Sequence, residues 1–255
     1  MKDFLTYHWA LMRANMLSYA PEKKRLFIMS FFMMVQNAMF FVLWGIFFGS
    51  VSEVKGWQLE DVARMYGIVA FSVGASLFFF NGVRSIAYRI NDGTLDGFIT
   101  KPRAVLPALL MSSSLPASIG DMAFAPIVWI TFGNLAWGEV PLLLFVSLIS
   151  VVIFLSMTII IFSAAFWLKG QTRFSEQLFE MLIISSSMIL RGQPFGVRLV
   201  IFTILPAGFI TYLPTQLVRD YDGVTMAVLL AAALFYAGLA TLIFKAGLRR
   251  YSHSL

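Results

Sequence analysis

Apolar runs of about twenty residues recur from Leu26 to the C-terminal region of this chain, separated by short polar stretches. At roughly 1.5 Å per residue, such a run forms a helix long enough to cross a hydrocarbon core of about 30 Å. The composition agrees, since 59% hydrophobic and 13% charged residues with a mean hydropathy of +0.82 lie far from those of soluble domains. The fold expected is an all-α integral membrane protein. Its 255 residues leave no soluble block long enough to fold separately, so residues 1–255 read as a single domain. The net charge of +6 does not indicate nucleic-acid binding, because the basic residues stand at the ends of apolar runs, where they set orientation. Cysteine is absent, which excludes disulfides and thiolate sites, and the histidines, His8 and His253, are isolated. No metal site is expected, and no cleavable signal is read at the N-terminus.

Met1 to Tyr19 places Leu5, Trp9, Met12, Met16 and Tyr19 at steps of three and four, with polar residues elsewhere on the wheel. This predicts an amphipathic helix at the membrane surface, in residues 1–25, or one packed on the rest of the protein. Spans are predicted over about Leu26 to Gly49, Val62 to Gly82, Pro107 to Gly133 and Leu142 to Leu168, with kinks at Pro116 and Pro126. Phe174 to Leu190 is barely long enough to span, and Phe195 to Leu213 is interrupted by Arg198, Pro206 and Gly208. Charge bias decides the count. With six spans, Lys23, Lys24, Arg25, Arg84, Arg89, Lys101, Arg103, Lys169, Arg173, Lys245, Arg249 and Arg250 share one side, which identifies it as cytoplasmic, and both termini with it. The last span is then about Val224 to Phe244. Residues 191–221 dip in from outside as re-entrant helices, which requires that protein cover the exposed backbone.

On this topology the polar segment 84–106 lies in the cytoplasm between the second and third spans. Asn91-Asp92-Gly93 is a turn signal, and Thr94 to Lys101 can form only a short helix, with Leu95, Phe98 and Ile99 on one side. That apolar face either docks a soluble partner or rests on the helix ends.

The run Gly93-Thr94-Leu95-Asp96-Gly97-Phe98-Ile99-Thr100-Lys101-Pro102, after two spans, resembles the ABC-2 type permeases, most closely the small single-domain bacterial subunits. Ile204-Leu205-Pro206 followed by Tyr212-Leu213-Pro214 is similar to a second signature of that branch. The chain departs from the pattern at Gly97, where an aromatic residue is common, and Gly192-Gln193-Pro194 matches loosely.

The resemblance implies a permease subunit of an ATP-binding cassette exporter in the bacterial inner membrane. It implies two partner ATPase subunits carrying ATP and Mg, and a second permease, identical or related. The segment between spans two and three would be the coupling helix, with Asp92, Gly93, Leu95, Asp96, Phe98, Lys101, Pro102 and Arg103 as its coupling residues. Pro194, Pro206, Tyr212 and Pro214 would mark the re-entrant part. The chain itself has no phosphate-binding loop of the form G-x-x-x-x-G-K-[ST], so no cofactor and no enzymatic activity are expected in it.

Two other readings come from the acids. Asp92 and Asp96 beside glycines faintly resemble the Mg site of an intramembrane phosphotransferase, but further carboxylates are lacking. Asp121, deep in the third span, could serve a secondary active transporter together with the broken helix, or pair with a neighbouring helix. The apolar, aromatic spans favour a lipid-like or amphipathic substrate over a small ion.

Overall fold

The computed structural model describes residues 20–100, 104–168, 173–188 and 194–252, together with Thr6, Trp9, Ala10, Arg13, Ala14, Asn15 and Leu17. These scattered N-terminal residues are helical, and the rest of the predicted surface helix lies outside the described residues. The Asn15 amide donates to the Met111 carbonyl at 2.8 Å, so this segment touches the body of the protein.

The first helix, α1 (Lys23–Ser50), follows directly from its apolar run. Only Phe41 and Phe48 are buried in it, whereas Phe32, Gln36, Met39, Leu43 and Phe47 are exposed. Helix α2 (Leu59–Phe80) begins with a reciprocal cap, in which the Gln58 amide donates to Asp61 at 3.0 Å and the Gln58 side chain accepts from the helix. It is the most enclosed helix, buried on nearly every face from Asp61 to Leu77. A 3-10 turn (Asn81–Ser85) carries it into α3 (Ile86–Asn91), and a turn with Gly93 at φ +68° leads to the short α4 (Asp96–Ile99). The turn predicted at Asn91-Asp92-Gly93 therefore forms, and its left-handed residue is the one without a Cβ.

The third predicted span is more broken than its prolines suggested. It consists of α5 (Val105–Leu110), a non-helical stretch Met111 to Leu115, a 3-10 turn (Pro116–Ser118) and α6 (Ile119–Phe132). Pro126 sits inside α6 without ending it. The break is held by long-range partners, because the Leu115 amide donates to the Leu77 carbonyl at 3.0 Å and Met111 receives the Asn15 amide. Such contacts satisfy backbone groups that a continuous helix would have satisfied internally.

Helix α7 (Val140–Ser163) returns along the core, with serines at 147, 150 and 156 and Thr158 each bonding the carbonyl four residues back. Helix α8 (Arg173–Ser186) spans about 21 Å at 1.5 Å per residue, short of a full crossing. Next, α9 (Phe195–Thr203) and a segment Gly208–Arg219 meet at 81° around Pro206. That second segment opens with a π turn (Gly208–Tyr212) and continues as α10 (Leu213–Arg219). Pro214 has no N–H to donate, and the wider turn lies immediately before it. Finally α11 (Gly223–Ser252) runs two turns past the predicted end at Phe244. Asp222 caps it, accepting from the Thr225 hydroxyl at 2.7 Å and the Thr225 amide at 2.9 Å. These bonds, led by the hydroxyl, hold the Asp222 carboxyl below the usual carboxylate range.

Among the described residues there is no strand, and four helices are long and apolar enough to cross a membrane. They are α1, α2 with its extension to Asn91, α7 with its extension to Phe166, and α11. The bent pair α9 and Gly208–Arg219 could supply a fifth, and Pro116–Phe132 is a shorter apolar helix.

Candidate functional site at the 84–100 end

Three helices, α2, α8 and α11, meet beneath the polar segment. The Arg84 guanidinium bonds Glu176 of α8 at 2.8 Å and lies 4.9 Å from the centre of the Phe179 ring, so one side chain joins the base of α2 to α8. Arg89 donates from Nε to Ser85 Oγ at 2.7 Å and from Nη2 to Ser112 Oγ at 3.2 Å, and its guanidinium stands 4.7 Å from the centre of the Phe98 ring. Ser85 in turn donates to the Gly82 carbonyl, and Ser112 to the Leu109 carbonyl. The Tyr251 hydroxyl, near the end of α11, donates to Asp96 at 3.0 Å.

The apolar face of the segment looks inward. Leu95 is fully buried, and Phe98 and Ile99 are half-buried against the main core. These apolar residues rest on the protein's own core. What the segment exposes is its tip, Asn91, Asp92, Gly93 and Thr94, together with Gly97 and Thr100. Lys101, Pro102 and Arg103 lie outside the described residues. Asp92 and Asp96 belong to no group of metal-holding side chains among the described residues.

Asp121 sits elsewhere, in the first turn of α6, and accepts a hydrogen bond from the Asn37 amide at 2.6 Å. Asn37 lies about 20 Å along α1 from either end at 1.5 Å per residue, which places the pair near mid-membrane depth. Asp121 thus has a polar partner on a neighbouring helix. Asn37 was not singled out in the sequence, although a polar residue amid Met33, Met34, Met39 and Phe40 is a readable signal.

Between α1, α2 and the end of α8 opens an apolar cavity of about 580 Å³. Phe40, Leu43, Trp44 and Phe47 form one wall, Ile183, Ile184, Ser187 and Met188 the other, and Tyr66 the back. Its lining is largely apolar, with Tyr66 and Ser187 among the residues that bear a polar group.

Tyr212 and α10 lie at the opposite end, against the start of α2. Pro206 is buried at the 81° bend, and Pro214 is buried in the first turn of α10. Tyr212 stacks on Trp57 at 5.5 Å between ring centres, 5° from parallel. Pro194 is exposed just before α9. Arg219 bonds both the Gly56 carbonyl and Asp61, tying α10 to the start of α2.

The helices define a multi-pass membrane protein. Residues 33–254 match the family described as ABC-2 family transporter protein, and the chain belongs to that family. No curated protein and no solved structure was found to match it. Permeases of this family typically work with ATPase partners.

Proposed function

We propose that this chain is the permease subunit of an ATP-driven exporter, contributing half of a translocation path and taking its energy from separate cytoplasmic ATPase subunits that carry ATP and Mg. The observation that carries this reading is the exposed tip Asn91 to Thr94 on a segment keyed into α2, α8 and α11 by Arg84, Leu95 and Asp96. A push on the tip would reach three spans through buried contacts rather than through a loose loop. Leu95, Asp96 and Phe98 act here as the inner anchor, and Asp92 and Gly93, continuing to Lys101, Pro102 and Arg103, as the outer contact.

Six crossings fit the contact pattern. Arg219 meets Asp61 at one end, whereas Tyr251 meets Asp96 at the other, which supports reading α8 as a short fifth crossing and residues 194–219 as the re-entrant part. On this arrangement both termini are cytoplasmic, in the inner membrane of a bacterium. A second permease, identical or related, is supported by α1, whose exposed face carries Gln36 midway along apolar Phe32, Met39, Leu43 and Phe47. An amide costs free energy in lipid and gains from a protein neighbour. The cavity beside that face supports an amphipathic substrate. A secondary-transport reading has less behind it, because Asp121 bonds to Asn37 and shares no hydrogen bond with the bent helix pair among the described residues.

Two measurements test this. Asp92→Arg reverses an exposed charge that holds no side-chain partner among the described residues, so thermal unfolding should be unchanged while co-purification with candidate ATP-binding cassette subunits falls at least about tenfold. Normal ATPase binding and transport by this variant and by Phe98→Ala would remove the coupling assignment. For topology, the cysteine-free chain allows single labels. Tyr221→Cys should react with an impermeant maleimide added to whole cells, and Lys245→Cys should not; the reverse pattern excludes six spans with internal termini.

A further inference from the structure

At the end of the molecule where α2 and α11 begin, a polar cavity of about 210 Å³ is lined by Trp57, Tyr212, Thr215, Gln216, Arg219 and Asp220. We infer that this cavity binds the phosphoethanolamine headgroup of a membrane phospholipid.

Three features of the wall lead to this ligand. Trp57 is 3% exposed, yet no group among the described residues accepts its indole N–H, although Trp57 lines the cavity. That N–H is not sealed inside the protein, and an oxygen of a ligand in the cavity would accept from it. Arg219 spends only Nη1 on the protein, on the Gly56 carbonyl and on Asp61 at 3.2 Å, and no hydrogen bond among the described residues uses its Nε or Nη2. Those N–H groups and the exposed Gln216 amide are donors suited to phosphate oxygens. Asp220, also exposed, has no side-chain partner among the described residues and adds an unmatched negative charge beside these donors. Donors and an unmatched carboxylate together select a zwitterion, with phosphate toward Trp57 and Arg219 and ammonium toward Asp220.

Size and depth narrow the ligand. At about 30 Å³ per water, the cavity holds about seven waters, which is the scale of a headgroup and not of an acyl chain. It opens where two spans begin, the level of the lipid phosphates, and Trp57 and Tyr212 are the aromatic types that favour that level. Stacking of a sugar on these rings is disfavoured, because Trp57 and Tyr212 cover each other and Phe202 meets Tyr212 edge-on at 6.3 Å.

The experiment needs neither ATP nor an ATPase, so its outcome is independent of the export reading. The full chain in detergent is titrated separately with dioleoyl phosphatidylethanolamine, phosphatidylcholine and phosphatidylglycerol, and bound lipid is counted by native mass spectrometry. The ethanolamine lipid should be retained at least about tenfold over the glycerol lipid, and both Trp57→Phe and Asp220→Asn should lower its retention about tenfold. Trp57→Phe keeps a ring against Tyr212, and unchanged thermal unfolding of either variant shows that the fold persists. Soluble sn-glycero-3-phosphoethanolamine should displace the lipid only at far higher concentration. Equal retention of the lipids, or retention unaffected in both folded variants, overturns the proposal. Displacement by the soluble compound at the lipid's own concentration overturns the assignment to a lipid.

Discussion

Adding one methyl group at Gly82 is expected to destabilise the protein by about 3 kcal/mol, the upper end for overpacking a close-packed interior. A Cβ there would stand 1.8 Å from the Leu109 carbonyl oxygen and 2.6 Å from Ser112 Oγ. The first of these is backbone, so it can move only if α5 moves. The consequence reaches the 84–100 segment, because Ser112 holds Arg89, whose guanidinium lies over Phe98, while Ser85 joins Arg89 to the Gly82 carbonyl. Gly82→Ala should therefore lower thermal stability in detergent and, on the proposed function, lose transport more than its remaining folded fraction explains. Gly97→Ala is the matched control. A Cβ at Gly97 meets nothing within 4 Å, so its unfolding curve should overlay that of the unaltered protein. Equal effects of the two substitutions would show that the Gly82 contact is not a tight one.

Arg64→Ala should cost a similar amount, about 3–5 kcal/mol, at the other end of the molecule. Arg64 is 8% exposed and donates to the Gly133 carbonyl at 2.8 Å, the Asn134 carbonyl at 3.0 Å and Glu139 at 3.4 Å. It clamps the link between α6 and α7, where Asn134 adopts φ +42° and its amide reaches Glu60. Truncation leaves two carbonyls without their charged donor, that of Gly133 in a buried place. Lysine cannot restore the forked geometry, so Arg64→Lys should recover only part of the loss. Glu139 is 34% exposed and the most distant of the three partners, so Glu139→Gln should cost far less, within about 1 kcal/mol. Unfolding midpoints of the three variants, with amide exchange over residues 130–140, check the order. An Arg64→Ala midpoint as high as that of Glu139→Gln would show that the clamp contributes little.

Several parts of this architecture were readable before any coordinates. Lys23–Ser50, Leu59–Asn91, Val140–Phe166 and Gly223–Ser252 fall where apolar runs predicted spans, because each run satisfies its own backbone groups and length alone announces it. The bend near Pro206 and the left-handed turn at Gly93 were also legible, since proline and glycine act on the chain where they stand. The break at Met111 to Leu115 was not, because it depends on the Leu77 carbonyl and on Asn15, far away in the sequence. Pro126, which suggested a kink, passes within a helix.

The candidate site divides in the same way. Residue types alone drew attention to Asp92, Asp96 and Asp121 and to the apolar face of Leu95, Phe98 and Ile99. Which way that face turns was decided by tertiary structure. It packs against the protein's own core and leaves the tip outside, while Asp96 meets Tyr251 and Asp121 meets Asn37 across distances no local pattern encodes. In a membrane the backbone must satisfy itself helix by helix, so the sequence by itself determined the class of protein and most of its spans. Partners of polar side chains are chosen by how the helices lie against one another, so the packed structure alone decided what the polar segment anchors to and which residues it presents.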